Sequence, residues 1–368
     1  LTEYTMKITN VKVETFNWPT ENWQVGFGMR FGGKSELSVV TVETDQGVKG
    51  NAFLNRPTHN APGLIEFLKP IVMGRNPLDI GAIWWDMWKM NRSVSTYAIG
   101  AIDICLWDIN GKMARQPIHR LLGTCKDSVP VYSSTAFHKT KEAYAEEAIK
   151  FKEMGWQAHK LHPHGRPKYD IEISEAVRKA VGDDMELMMD SMWAYQYEDA
   201  MRVGKAVEEL GFYWYEDPLV EQDIYNYKKL HQKLDIPIMS TEFAPGRLYG
   251  MTQWITEYAT DILRGDVAIT GGITPLIRLC NLAEGFNMKC EIHHGGNSLN
   301  NVANLHVTMA VPNCEFFEFF PCTGSLMYGL IEDIQFDSNG MVHAPTQPGL
   351  GYQIDWELIG KEHTGTLE

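Results

Sequence analysis

The spacing of apolar residues changes near residue 125. Before it, residues 8–16 (ITNVKVETF) alternate apolar and polar with a period of two, the mark of a half-buried strand. Residues 36–43 and 48–54 read as two more strands around Thr44-Asp45-Gln46-Gly47, whose turn chemistry predicts a hairpin. The spacing then becomes helical over 62–73, 77–90 and 95–115. Trp84 and Trp88 stand one turn apart, and Ala98, Ala101, Ile102, Cys105, Leu106 and Ile109 form one stripe. A stripe of this kind is read as core, and so are the two tryptophans.

From residue 129 short apolar runs alternate with helical segments. The runs are VPVYSS, AHKLH, MELMMD, FYWYED, IPIMSTE, DILRGD, MKCEIHH and CEFFEFF. The helical segments are 141–154, 171–181, 198–210, 223–234, 273–286 and 300–310. Strand alternating with helix predicts a parallel sheet. Eight runs at near-constant spacing predict a (β/α)8-type barrel, and no G-x-G-x-x-G follows the first run to favour a doubly wound sheet. The expected division is an α+β domain over 1–125, a barrel over 126–347, and a tail over 348–368 that returns to the first domain.

Composition narrows the class of function. The chain has 368 residues, enough for two domains, with 44% hydrophobic and 22% charged residues and no apolar run long enough to span a bilayer. A net charge of −14 argues against nucleic acid and anionic membranes as partners. Six scattered cysteines without a CxxC motif read as reduced thiols, and with no signal-peptide pattern the expected location is cytoplasmic. Met6 is the expected native start, with residues 1–5 a tag.

Acidic residues recur where strands end. Asp190, Glu216 and Glu242 close three successive runs, each 26 residues after the one before. In a parallel barrel such positions share the rim where active sites form. A single acid there reads better as a helix N-cap, and Asp217, between Glu216 and Pro218, is taken as structural. Three in register would repel one another unless a cation sat among them, and oxygen-only donors favour Mg2+ over zinc. Asp266, His293 and Glu318 continue the period, while Lys160 and His162 share one strand face at i and i+2. This is equipment for removing a proton beside a carboxylate: a cation and Lys160 hold the developing charge, and His293, oriented by Asp266, is the expected base. His162 would supply a second base on the opposite face. Parity places Met288, Cys290, Ile292 and His294 toward the helices and Glu291 with His293 toward the interior. His164, in the loop after the second run, reads as a solvated loop residue or a substrate contact.

At these residues the chain resembles the enolase superfamily, mandelate racemase subgroup. AIGAIDICLWDINGKMARQPIHRLLG (98–123) looks like the end of that family's capping domain, and KLH is similar to its K-x-K motif. RGDVAITGGIT (264–274) resembles its sixth strand and following turn. The three acids match its metal ligands, Asp266 and His293 its dyad, and Glu318 the eighth-strand acid that hydrogen-bonds the substrate carboxylate. The resemblance implies an α+β cap over a (β/α)7β barrel, with cap loops at 18–31 and 53–58 closing the site. It also implies Mg2+ and a small carboxylate substrate. A homo-oligomer is expected. His162 replaces the second lysine of the motif, which weakens the electrostatic anchor there. Trp18, Trp23, Arg56 and Trp193 are candidate substrate contacts, and Tyr195 joins them. The leading expectation is dehydration of a sugar acid. A racemase, epimerase or cycloisomerase is the runner-up, and a non-catalytic sugar-acid binding protein is a remote third.

Overall fold

The structure is a computed structural model that describes residues 6–24, 30–134, 137–294, 297–320 and 327–368, with the side chains of 18–35 outside that description. Strands β1 (Ile8–Gln24), β2 (Arg30–Thr44) and β3 (Lys49–Leu54) form an antiparallel meander. Of the segment expected as a loop at 18–31, residues 18–24 and 30–31 are instead strand, paired as far as Gln24 with Arg30, and 25–29 lie outside the described residues. The helix Thr96–Ala114 packs on β3 at very short range. A Cβ on Gly50 would lie 2.0 Å from the Cys105 carbonyl oxygen, so only glycine fits there. Ser95 caps that helix by accepting from Ala98 N. The helix expected at 62–73 begins earlier, at Pro57, and widens into a π turn over Leu64–Leu68 before Lys69–Val72. Pro70 has no N–H to bond the Glu66 carbonyl, which accounts for the wider turn.

Eight parallel strands follow: β4 (Ser128–Ser134), β5 (Ala158–Leu161), β6 (Glu186–Asp190), β7 (Trp214–Glu216), β8 (Ile238–Ser240), β9 (Ile262–Gly265), β10 (Lys289–Ile292) and β11 (Phe317–Phe319). They pair in chain order from β4 to β10, and β11 pairs with β4. The β10–β11 seam carries no ladder among the described residues. Cys290 N donates to Asn313 O at 2.9 Å, and the buried Glu291 carboxylate accepts from Glu315 N and Phe316 N at 2.8 and 3.2 Å. Burial pushes that carboxyl up to about 7. Beyond the barrel, β12 (Met341–His343) runs antiparallel to β4, and β13 (His363–Leu367) pairs with β1, so the chain's last strand completes the first sheet.

The barrel interior is layered, because side chains alternate and alternate strands fill each level. Ala158, Trp214, Ile262 and Phe316 are buried in one apolar cluster, together with Tyr132, Met188 and Met239 from the intervening strands. Two residues further along β5, β7, β9 and β11 stand Lys160, Glu216, Arg264 and Glu318, all buried. One level of the core is therefore charged.

Two tryptophans fasten the first domain to the barrel. Trp84 Nε1 donates to Gly271 O at 2.9 Å, and Trp107 Nε1 to Thr274 Oγ1 at 3.0 Å. Thr274 N donates to Asp103 at 2.9 Å, and a Cβ on Gly272 would collide with the same carboxylate at 2.3 Å. The Gly271-Gly272 turn, with φ of 100° and 123°, is a docking surface for the cap helix. Among the described residues no helix is long and apolar enough to cross a membrane. The five described cysteines are free thiols.

Candidate active site

The charged level is a closed ring. Lys160 Nζ lies 3.0 Å from Glu216 and 2.7 Å from Glu318, while Arg264 lies 2.5 Å from each of the same two carboxylates. Alternating signs let four buried charges coexist where a lone one would be prohibitively unfavourable. Burial and Arg264 oppose the Lys160 charge, yet Glu216 and Glu318 outweigh them and raise its pKa. Glu318 behaves conversely: burial favours its neutral form, but Arg264 and Lys160 hold it well below the usual carboxylate range. Glu216 is pushed up to about 7 by burial, with Asp190 adding to the effect and Arg264 and Lys160 resisting it.

The ring extends outward at the rim. Asp190 ends β6 opposite Glu216 in the strand register and lies 3.5 Å from Lys160 Nζ and 3.2 Å from His162 Nε2. Despite burial, Lys160 and His162 lower the Asp190 pKa. On the other side Glu242 lies 3.6 Å from Arg264 Nε and 3.5 Å from His293 Nε2. Strand parity from Met239 would turn Glu242 away from the interior. The backbone corrects this at Thr241, which takes φ of 93°, an uncommon conformation for a β-branched residue.

His293 Nδ1 lies 3.0 Å from Asp266 Oδ2. Asp266 is fixed in turn. Its other oxygen caps the short helix Val267–Thr270 by accepting from Ala268 N and Ile269 N, and Asn304 Nδ2 reaches Oδ2 at 3.2 Å. Asn304 also donates to the His293 carbonyl at 2.9 Å, so one amide aligns both members of the pair. Burial opposes a charge on His293, but Glu242, Asp266 and Glu318 override it and push its pKa up to about 9. The adjacent His294 points the other way. Its ring packs 4.0 Å from that of Phe317, and burial lowers its pKa to about 3. His159 likewise faces away from Lys160, bonded to Ser133 at 2.7 Å.

The remaining candidates fall in different places. Trp18 and Trp23 have side chains outside the described residues. Arg56 is exposed at φ 52°, just before the helix Pro57–Gly63. Tyr97, in the helix Thr96–Ala114, is half-buried. Burial raises that phenol to about 12, and the charges acting on it are those of Asp266, Arg56, Glu242 and Arg247. Trp193, at φ 64°, sits edge-on to Phe243 beside Glu242. Tyr195 is buried with its hydroxyl donating to Asp170, which makes it packing and not a substrate contact. The His164 ring lies 2.8 Å from the His138 carbonyl and packs against Tyr144, Tyr169 and Phe137. The Phe137 ring also packs near His162, with both centroid distances 5.9 Å. Arg264 was also missed. Its only signal was period two within DILRGD, where it shares a face with Asp266.

Lys160 and Arg264 stand between the three rim acids, and among the described residues no three of His, Cys, Asp and Glu are grouped closely enough to hold an ion as placed. The donors do fit a hard cation. All are carboxylate oxygens on consecutive strand ends, and buried Glu216 Oε1 has Arg264 Nε 2.5 Å away but no aligned hydrogen-bond donor.

Residues 143–358 match the family described as Enolase C-terminal domain-like, and residues 8–123 match the mandelate racemase / muconate lactonizing enzyme N-terminal domain. The chain belongs to the enolase superfamily. Within it, the chain is 28% identical to arabinonate dehydratase of Saccharolobus solfataricus, over 96% of this chain and 90% of that protein. It is 27% identical to D-galactarolactone cycloisomerase of Agrobacterium fabrum, over 96% and 98%. Among solved structures, D-glucarate dehydratase from Agrobacterium tumefaciens complexed with magnesium superposes with a TM-score of 0.89 at 31% identity, covering 98% of this chain and 100% of that one. The modified barrel with its antiparallel cap is thus the enolase-superfamily fold, and its named relatives are enzymes, both dehydratases and cycloisomerases.

Proposed function

We propose that this enolase-superfamily enzyme is an acid-sugar dehydratase. It removes the proton α to a sugar-acid carboxylate and expels the β-hydroxyl as water. The observation that carries this reading is the placement of two imidazoles at the two ends of one chain of charges. His162 touches Asp190, His293 touches Glu242, and Lys160, Glu216 and Arg264 lie between.

Asp190, Glu216 and Glu242 would hold Mg2+, which would neutralise the substrate carboxylate and the charge that develops on it. His293 Nε2 takes the α-proton. Asp266 keeps the opposite nitrogen protonated and stabilises the imidazolium. Lys160, its ammonium held by Glu216 and Glu318, faces the negative charge of the enediolate. The electron pair then forms the α–β double bond as the β C–O bond breaks. His162 delivers the proton that turns the departing hydroxyl into water. The resulting enol tautomerises to a 2-keto-3-deoxy acid.

The likeness to arabinonate and D-glucarate dehydratases supports this reading, and the magnesium in the latter structure supports the metal. A second reading, cycloisomerisation, draws on the near-full-length likeness to D-galactarolactone cycloisomerase and uses the same residues. Incubation with Mg2+ and a panel of sugar acids in heavy water separates the two. A keto acid detected with semicarbazide supports dehydration. Isomerisation without a keto product supports the second reading, and no exchange or product with any acid overturns both.

A further inference from the structure

His162 stands one residue beyond Leu161, the last residue of β5, which pairs with Met189. Its carbonyl is met by a side chain from a neighbouring helix. Tyr144, buried on the helix Lys141–Glu153, donates its hydroxyl to His162 O at 2.7 Å. The same hydroxyl lies 3.5 Å from His164 Nε2. That nitrogen lies 2.8 Å from the His138 carbonyl, which can only accept. It therefore carries a hydrogen, and the Tyr144 proton goes to His162. The phenol ring is itself held edge-on by the His138 and His164 rings, at centroid distances of 5.1 and 5.9 Å.

The chain beyond His162 is fixed as well. The buried Asp170 carboxylate accepts from His164 N at 2.8 Å, from Arg166 N at 2.6 Å and from the Tyr195 hydroxyl at 2.8 Å. With Leu161 in the ladder and the His162 carbonyl bound to Tyr144, the backbone on both sides of the His162 Cα is set. The direction of the Cα–Cβ bond, and so the reach of the ring, follows.

We infer that Tyr144 is a positioning residue: through the His162 carbonyl it aims the imidazole that protonates the departing hydroxyl. This rests on the dehydratase reading, in which His293 takes the α-proton and His162 serves the second step. His293 is aligned by Asp266 and Asn304, so a disturbance at Tyr144 leaves the first step its base.

Tyr144→Phe keeps the ring and removes the bond. Dehydration, read as keto acid, should fall about 10–100-fold, the scale on which misplacing a reacting group slows a reaction. Exchange of the α-proton in heavy water should stay within about threefold of wild type, as should Mg2+ affinity. A general loss of structure would lower exchange and dehydration together. Adding Tyr144→Phe to His162→Asn should lose no more than about twofold beyond His162→Asn alone, because the group being aimed is already gone. Nitrogen NMR of histidine-labelled protein reads the contact without turnover. In Tyr144→Phe the His162 ring signals should shift while those of His293 stay in place.

Equal losses of exchange and dehydration, additive losses in the double variant, or an unmoved His162 signal would overturn the inference. If Tyr144→Phe does not fold, Asp170→Asn takes its place, since an amide offers one accepting oxygen where the carboxylate offers two. It should lower dehydration relative to exchange in the same sense, and an unchanged ratio overturns the inference. Wild-type protein that neither exchanges nor dehydrates any sugar acid strikes at the functional reading instead. The His162 signal still tests the Tyr144 contact in that case, so the two failures are told apart.

Discussion

Thr241 and Arg264 hold each other across adjacent strand ends. The Thr241 hydroxyl donates to the Arg264 carbonyl at 3.2 Å and accepts from the Arg264 amide at 2.9 Å. These two bonds hold Thr241 at φ 93°, and that backbone turn brings Glu242 to the rim. The position of one proposed metal ligand thus depends on a hydroxyl that is not itself a ligand. Thr241→Val, equal in shape but without the hydroxyl, should lose about 1–3 kcal/mol of stability. Its Mg2+ affinity should fall by roughly tenfold. Thr241→Ser should retain both within a small factor. Calorimetric titration of the two variants checks this, and equal affinities would remove the hydroxyl from the account.

The two imidazoles have separable roles. His293→Asn should abolish both α-proton exchange and turnover while leaving Mg2+ binding intact. His162→Asn should still exchange the α-proton in heavy water but lose dehydration by about 10²–10⁴-fold. Proton NMR of the substrate in heavy water, run beside the keto-acid assay, distinguishes them. Loss of exchange in His162→Asn, with exchange kept in His293→Asn, would reverse the assignment.

Asp266 orients His293 and also caps a helix, so the two contributions must be separated. Asp266→Asn keeps an acceptor for Ala268 N and Ile269 N but removes the charge facing the imidazole. Thermal stability should change little, while turnover should drop by roughly 10²-fold or more. Comparison of melting temperature with rate tests this, and parallel losses in both would make Asp266 a structural residue only.

Chelation should act on stability as well as activity. A metal bound only by the folded protein stabilises it by about 2.7 kcal/mol at a hundredfold excess over Kd. Added Mg2+ should raise the melting temperature of wild type and not of Asp190→Asn with Glu242→Gln. EDTA should reverse the shift and stop turnover. An unchanged melting curve at saturating Mg2+ would argue against the proposed ligands.

A buried acid at the domain junction predicts a pH effect far from the site. Burial pushes Asp103 up to about 7, with the Thr274 hydrogen bonds resisting. In the unfolded chain it ionises near pH 4, so between about 4 and 7 the folded protein binds the extra proton. Its stabilising contribution is therefore full at low pH and is lost as pH rises through 7. Asp103→Asn, which keeps the acceptor for Thr274 N and cannot ionise, should match wild type near pH 4. It should exceed wild type by about 4 kcal/mol at pH 8. Urea unfolding across that range checks the sign.

The sequence alone determined what depends on period and order. Alternation over residues 8–16 and the repeated run-then-helix pattern after 129 followed from backbone geometry, because burial on one face leaves a two- or 3.6-residue imprint. Spacing of one βα unit placed Asp190, Glu216 and Glu242 on consecutive strand ends, and parity turned His293 inward and His294 outward. Tertiary structure alone decided what depends on pairing across the barrel. Arg264 lies 48 residues from Glu216 and 54 from Glu318, and no local pattern says that alternate strands will set them in one layer with Lys160. Local backbone strain was equally hidden, since strand parity would have turned Glu242 outward but for the positive φ of Thr241. Period is written into each segment by its own burial, whereas a network of charges exists only once the barrel closes and removes the water between them.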